Sequence, residues 1–189
     1  VRVIADRLWT MRPVKWLPRR IDRGFDDRLA ASVRRAAAGL GMTHPILWVN
    51  DPAAAGIARA SGWPTLYDIT DDWLAADRPE AEHQRVLRGE DWLLAHANAV
   101  VACSPELLRR KSAARDDIVL IRNAVDAAAY DRPHERPVDL PEGATAVYVG
   151  TLHRDRIDVG LCIQTAQALS GRGAVGAGPM VARGAAAPW

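Results

Sequence analysis

From residue 28 onward, short apolar runs alternate with stretches of helical period. In "DRLAASVRRAAAGLG" (27–41), Leu29, Val33, Ala36, Ala37 and Leu40 recur at the spacing of one helix face, and Gly39 and Gly41 mark its end. "PILWVN" (45–50) reads as a short strand. The helix after it has Asp51 as N-cap and Pro52 at its first position. "TLYDI" (65–69) is a second strand, followed by a long helix over roughly 80–97. Residues 99–103 predict a third strand. Ser104 and Pro105 then open another helix, and 117–123 read as a fourth strand. None of these strands alternates cleanly between apolar and polar, so burial on both faces is expected. The reading is an α/β chain, a parallel sheet with helices on both sides.

The rhythm breaks at 131–144, where three prolines and mixed charges without apolar period read as a linker. A new buried strand follows at 145–150, then a loop and a helix over 157–169, the start of a second α/β domain. From Ser170 the chain is rich in Gly and Ala and contains no acid. That composition predicts a tail without regular structure, disordered or read in a shifted frame. The run "GRGAVGAG" (171–178) superficially resembles a dinucleotide fingerprint, but such a fingerprint needs a strand before it and a helix after it, and the pattern supplies neither. The expected organisation is therefore 1–130, a linker at 131–144, an incomplete domain at 145–169, and a tail at 170–189.

Composition narrows the function classes. Of 189 residues, 49% are apolar and 25% charged, as in globular domains, and no run approaches a membrane span. No apolar signal core opens the chain, which predicts a cytoplasmic location. The two cysteines, Cys103 and Cys162, stand far apart outside any paired motif and read as reduced. The net charge of +2 is uneven: residues 1–35 hold ten Arg or Lys against four Asp. With Trp9 and Trp16 among them, this segment suits a solvated face or peripheral contact with the inner face of a membrane. No recognition motif accompanies the charge, so nucleic acid is not an expected partner.

Ligands of such sheets gather at the carboxyl ends of the strands. Here those ends carry Asn50-Asp51, then Asp68, Asp71 and Asp72, then Ser104, then Asn123 and Asp126. Capping alone is a sufficient role for Asp51 and Ser104. The three acids of "YDITDDW" lack companions at metal-ligand spacing, since His83 and His96 on the long helix form no pair with them; no metal or other cofactor is expected. Asp71 and Asp72 remain equally suited to capping a turn and to orienting or deprotonating a hydroxyl.

Four segments in order, "PTLYDITDDW", "GEDWLLAHANAVVACSPELLRRK", "IVLIRNAVDAAAY" and "AVYVGTLHRDRIDVGLCIQTAQAL", resemble bacterial glycosyltransferases of the GT-B type. The closest similarity is to the retaining family-4 group, also called glycosyl transferases group 1, and it covers about residues 45 to 169. The resemblance implies a Rossmann-like acceptor-side domain and the start of a second Rossmann-like, donor-binding domain, with the chain a truncated member. It implies a nucleotide-sugar donor and a sugar or lipid-linked acceptor, in cell-envelope or exopolysaccharide synthesis. Carried over by position, Asp71 and Asp72 become the catalytic pair, and Asp68, Ser104, Asn123 and Asp126 contact substrate. Gly150, Arg154 and Arg156 match the loop that neutralises the departing diphosphate, a role for fixed cations and backbone N–H groups. Ala124 stands where the family carries glycine, and Thr151 where many members carry Arg. The alternative expectation is a non-catalytic, degenerate Rossmann-like domain contacting a membrane or partner.

Overall fold

Three short strands and a two-residue fourth form the parallel sheet at the centre of the chain's first unit. The computed structural model describes residues 1–12, 21–22, 24–131, 135–136, 138, 146–149, 157–168 and 174–177. Two units separate at Ala124/Val125, six residues before the predicted linker. The first opens with an antiparallel hairpin, β1 (Arg2–Ala5) and β2 (Leu8–Thr10), turned by Asp6 and by Arg7 at φ 57. The sequence pattern did not reveal this ribbon, whose apolar positions are interrupted by charged residues. Helix α1 (Phe25–Gly39) starts two residues earlier than the pattern indicated and ends at the predicted glycine.

Strands β3 (Leu47–Val49), β4 (Thr65–Ile69), β5 (Ala99–Ala102) and β6 (Val119–Leu120) lie in sequential order, all parallel. Helices α2 (Ala55–Ser61), α3 (Glu80–His96) and α4 (Pro105–Lys111) make the crossovers. The caps follow the sequence reading. Asp51 accepts from the Ala53 N–H at 2.8 Å and starts the 3₁₀ turn Pro52–Ala54 ahead of α2. Ser104 Oγ accepts from the Leu107 N–H at 3.2 Å. Gly62, at φ 66, closes α2 in the left-handed conformation that glycine adopts without a Cβ penalty.

The parallel sheet is flanked by helices, and among the described residues of the first unit they pack on one of its faces. β4 alternates, with Thr65, Tyr67 and Ile69 buried and Leu66 and Asp68 only half-buried. Val49, Tyr67, Ile69, Val100 and Ala102 form one core with Ala55 and Ala58 of α2, Leu93 and Leu94 of α3, and Leu107 of α4. The opposite face carries Trp48, 68% exposed, and Val119, 56% exposed. Sequential strand order supplies the reason. Right-handed crossovers that all step in one direction leave their helices on one side, and only a reversal of order moves a helix across. No reversal occurs among the described strands, so the strand-order switch that a doubly wound sheet would show is also absent there.

Helix α3 shows how the core is assembled. Val86, Gly89, Glu90, Leu93 and Leu94 follow helical spacing onto the sheet. A Cβ on Gly89 would sit 2.2 Å from the Pro52 carbonyl oxygen, so only glycine allows α3 this close to the 3₁₀ turn. Arg115 donates through Nη1 to the carbonyls of Leu94 and Ala97 at 3.1 and 2.7 Å, satisfying the end of α3, while its other nitrogens pair with Asp117.

In the second unit, Asp126 caps the short helix α5 (Ala127–Tyr130), accepting from the Ala128 N–H at 3.1 Å. Strand β7 (Ala146–Val149) pairs in parallel with β8 (Ala174–Ala177), and α6 (Val159–Ala168) lies between them in sequence. The tail is thus not wholly without regular structure: four of its residues extend the predicted β–α start into a β–α–β unit. Strand β8 lies inside "GRGAVGAG", so that run is itself strand in part rather than a loop after one.

Candidate functional site

The carboxyl end of β4 gathers the acids into one place. In the sheet register Asp68 faces Val101 and Ile69 faces Ala102, which sets the segment after Ile69 beside Cys103 and Ser104. Cys103 confirms the contact, with its thiol 3.4 Å from the Thr70 carbonyl oxygen. The turn that follows is closed by the Ala75 N–H on the Asp72 carbonyl at 3.0 Å. Loop 70–72 therefore rests against the start of α4.

Three acids close in sequence have three different environments. Asp68 lies on the open sheet face and accepts from the Trp48 indole N–H at 3.0 Å. Asp72 is 25% exposed and pairs with Arg110 Nη1 at 2.5 Å. Arg110 also reaches Glu106 through Nε at 2.7 Å, so one guanidinium spans two carboxylates. Arg109 holds Glu106 by two further bonds, at 2.9 and 2.7 Å. These two arginines hold the Glu106 carboxyl down at about 2, Arg109 contributing most, and both guanidinium groups are held above their usual range by Glu106. Asp71 is exposed and projects from the same loop. Of the two acids that sequence chemistry left equivalent, one is neutralised and fixed, and the other faces water.

The remaining candidates divide. Ser104 caps α4, and its hydroxyl is engaged by Leu107. Asn123 is exposed beyond β6 at the same end of the sheet. Asp126 belongs to the second unit, where it caps α5. Gly150, Arg154 and Arg156, the donor-phosphate candidates, lie outside the described residues. Among the described residues, no three His, Cys, Asp or Glu side chains gather closely enough to hold a metal ion. His96 is stacked on Trp92, with ring centroids 4.8 Å apart, and Arg59 lies over that indole.

Sequence reasoning missed the residues that organise these acids. Arg110 reads as one of three basic residues in the last turn of α4, where cations complement the helix dipole. Trp48 reads as apolar filling in a strand expected to be buried. Beneath the loop, Glu90 is 2% exposed and is shared by the Tyr67 hydroxyl at 3.1 Å and the Lys111 ammonium at 2.7 Å. Burial, then the Glu90 charge, raises the Tyr67 phenol well above its usual range. The signal available was Lys111 and Glu90 at positions where the helical period calls for an inward residue.

No known family model matches the chain, and no curated protein matches its sequence. Among the described residues, no helix is long and apolar enough to cross a membrane. The arrangement itself is a parallel α/β sheet whose carboxyl end presents a solvated carboxylate, a second carboxylate tied to an arginine, and a third beside an exposed indole. Chemically, such a site can accept hydrogen bonds from hydroxyl groups and take up a proton.

Proposed function

We propose that the chain is part of a glycosyltransferase that moves a sugar from a nucleotide-sugar to an acceptor hydroxyl, with the first unit on the acceptor side. The observation that carries this reading is the unequal pair Asp71 and Asp72. Asp71 is open to solvent at the end of β4, while Asp72 is held by Arg110. A general base needs an accessible carboxylate, and a neighbouring acid already neutralised does not repel it. In the transfer, Asp71 receives the acceptor proton, the acceptor oxygen bonds to the anomeric carbon, and the bond to the diphosphate breaks. The nucleoside diphosphate leaves with the electron pair. The order of the four resembling segments supports the same reading. A lipid-linked or cell-envelope acceptor is in keeping with the basic, Trp-bearing start of the chain.

The uncovered sheet face favours the second reading, a non-catalytic domain that binds a partner or a membrane surface. Radiolabelled UDP-glucose and GDP-mannose, incubated with the chain and a bacterial lipid extract, separate the two. Transfer of label that disappears in Asp71→Asn supports the enzyme. No transfer and no release of nucleoside diphosphate from either donor would leave only the binding domain.

A further inference from the structure

We propose that Trp48 and Asp68 form a platform that seats a pyranose ring against the open face of the sheet. The inference rests on the sugar-transfer reading and specifies where the acceptor lies.

Trp48 is 68% exposed although it stands in a central run of the chain. Its indole N–H is committed to Asp68 Oδ2 at 3.0 Å, on the neighbouring strand. That bond fixes the ring and leaves its face free. Leu66 stands in register with Trp48, and Val101 with Asp68, so the carboxylate sits within an apolar surround. Asp68 in turn is three residues from Asp71, on the chain that leads into the acid loop.

The carboxylate decides what can cover this face. A purely apolar cover, whether a helix or the same face of a second copy, would bury the Asp68 charge with a single neutral donor. Buried charges without full compensation are strongly unfavourable. A pyranose meets both demands. Its C–H face lies flat on an indole, and its hydroxyl groups donate to the carboxylate, a charge-assisted bond stronger than a neutral one.

Saturation-transfer NMR with the methyl glycosides of glucose, galactose and mannose, without nucleotide, tests the platform directly. At least one glycoside is expected to bind, with its C–H face saturated most strongly. Trp48→Ala and Asp68→Asn should each abolish the signal, while Arg34→Ala, on the exposed side of α1, should leave it intact. Circular dichroism would verify that each variant keeps its fold. Binding unchanged in Trp48→Ala and Asp68→Asn would overturn the platform and leave the transfer reading standing. No binding by any of the three glycosides would also overturn it, as would a dimer that Trp48→Ala dissolves. Glycoside binding that needs Trp48, without turnover of UDP-glucose or GDP-mannose, would keep the platform and remove the transfer reading.

Discussion

Lys111 on α4 sets its ammonium 2.7 Å from one oxygen of Glu90 on α3, and Tyr67 of β4 donates to the other at 3.1 Å. Three elements are thereby joined through one buried carboxylate. Removing a single partner from such a pair leaves an uncompensated charge, so Lys111→Met should cost about 3–5 kcal/mol. Glu90→Gln in the same molecule removes the charge and still accepts from Tyr67, and should recover most of the loss. Urea unfolding of the single and double variants checks this. A single variant as stable as the parent would mean that the Lys111–Glu90 pair does not help to hold the three elements together.

Gly89 makes the opposite kind of demand, for absence rather than for a partner. Alanine is ordinarily the better helix residue by about 1 kcal/mol. At position 89 its Cβ would meet the Pro52 carbonyl at 2.2 Å, backbone that cannot swing aside. Gly89→Ala should therefore lose about 1–3 kcal/mol despite the gain in propensity. Gly39→Ala, with nothing within 4 Å of the new methyl, should be neutral or stabilising. Thermal melts of the two variants should move in opposite directions or, at the least, differ clearly.

The arginines around Glu106 predict an acid titration. Its carboxyl is held down at about 2 by hydrogen bonds from Arg109 and then Arg110. A depressed folded value means that the carboxylate contributes stability fully above the unfolded value of about 4.3. The contribution is lost as pH falls from there through about 2. Carbon-detected NMR should give Glu106 a midpoint near 2 in the parent and a higher one in the Arg109→Ala/Arg110→Ala double variant. The group is exposed, so salt should also move the midpoint upward by screening.

Much of the fold was legible because strand, cap and helix signals agreed. "TLYDI" is β4 residue for residue, and Asp51 and Ser104 cap where their residue types predict. Which faces of the sheet are covered was not legible. Apolar residues on both sides of a strand announce burial only if something covers both sides, and that depends on strand order, which Trp48 and Val119 cannot encode locally. The site was legible to the level of the acids but not of their partners. Arg110 lies 38 residues from Asp72, and Lys111 lies 21 from Glu90. Such pairs arise where α4, packed on β5 and β6, brings single side chains to the loop after β4 and to α3, and no local spacing announces them. The strand β8 was missed because its residues stand in a run of Gly and Ala, and the hairpin of β1 and β2 because charged residues interrupt its apolar positions.

Arg110 gives the transfer reading its sharpest consequence, because it assigns unequal work to two adjacent acids. Asp72 is paired at 2.5 Å, whereas Asp71 is exposed. If Asp71 is the group that takes the acceptor proton, Asp71→Asn should lower kcat by about 10²–10⁴-fold with KM little changed. Asp72→Asn should have a smaller effect, because that side chain is tied to Arg110. Arg110→Ala frees the Asp72 side chain from its ion pair. It should lower kcat more than Arg109→Ala, since Arg109 bonds only Glu106 among the residues at this site. Arg110→Lys keeps the charge but not the fork that spans Glu106 and Asp72, and should restore the rate only in part. Equal losses in Asp71→Asn and Asp72→Asn, with the rate unchanged in Arg110→Ala, would mean that the acids act as a pair and that Arg110 does not divide them.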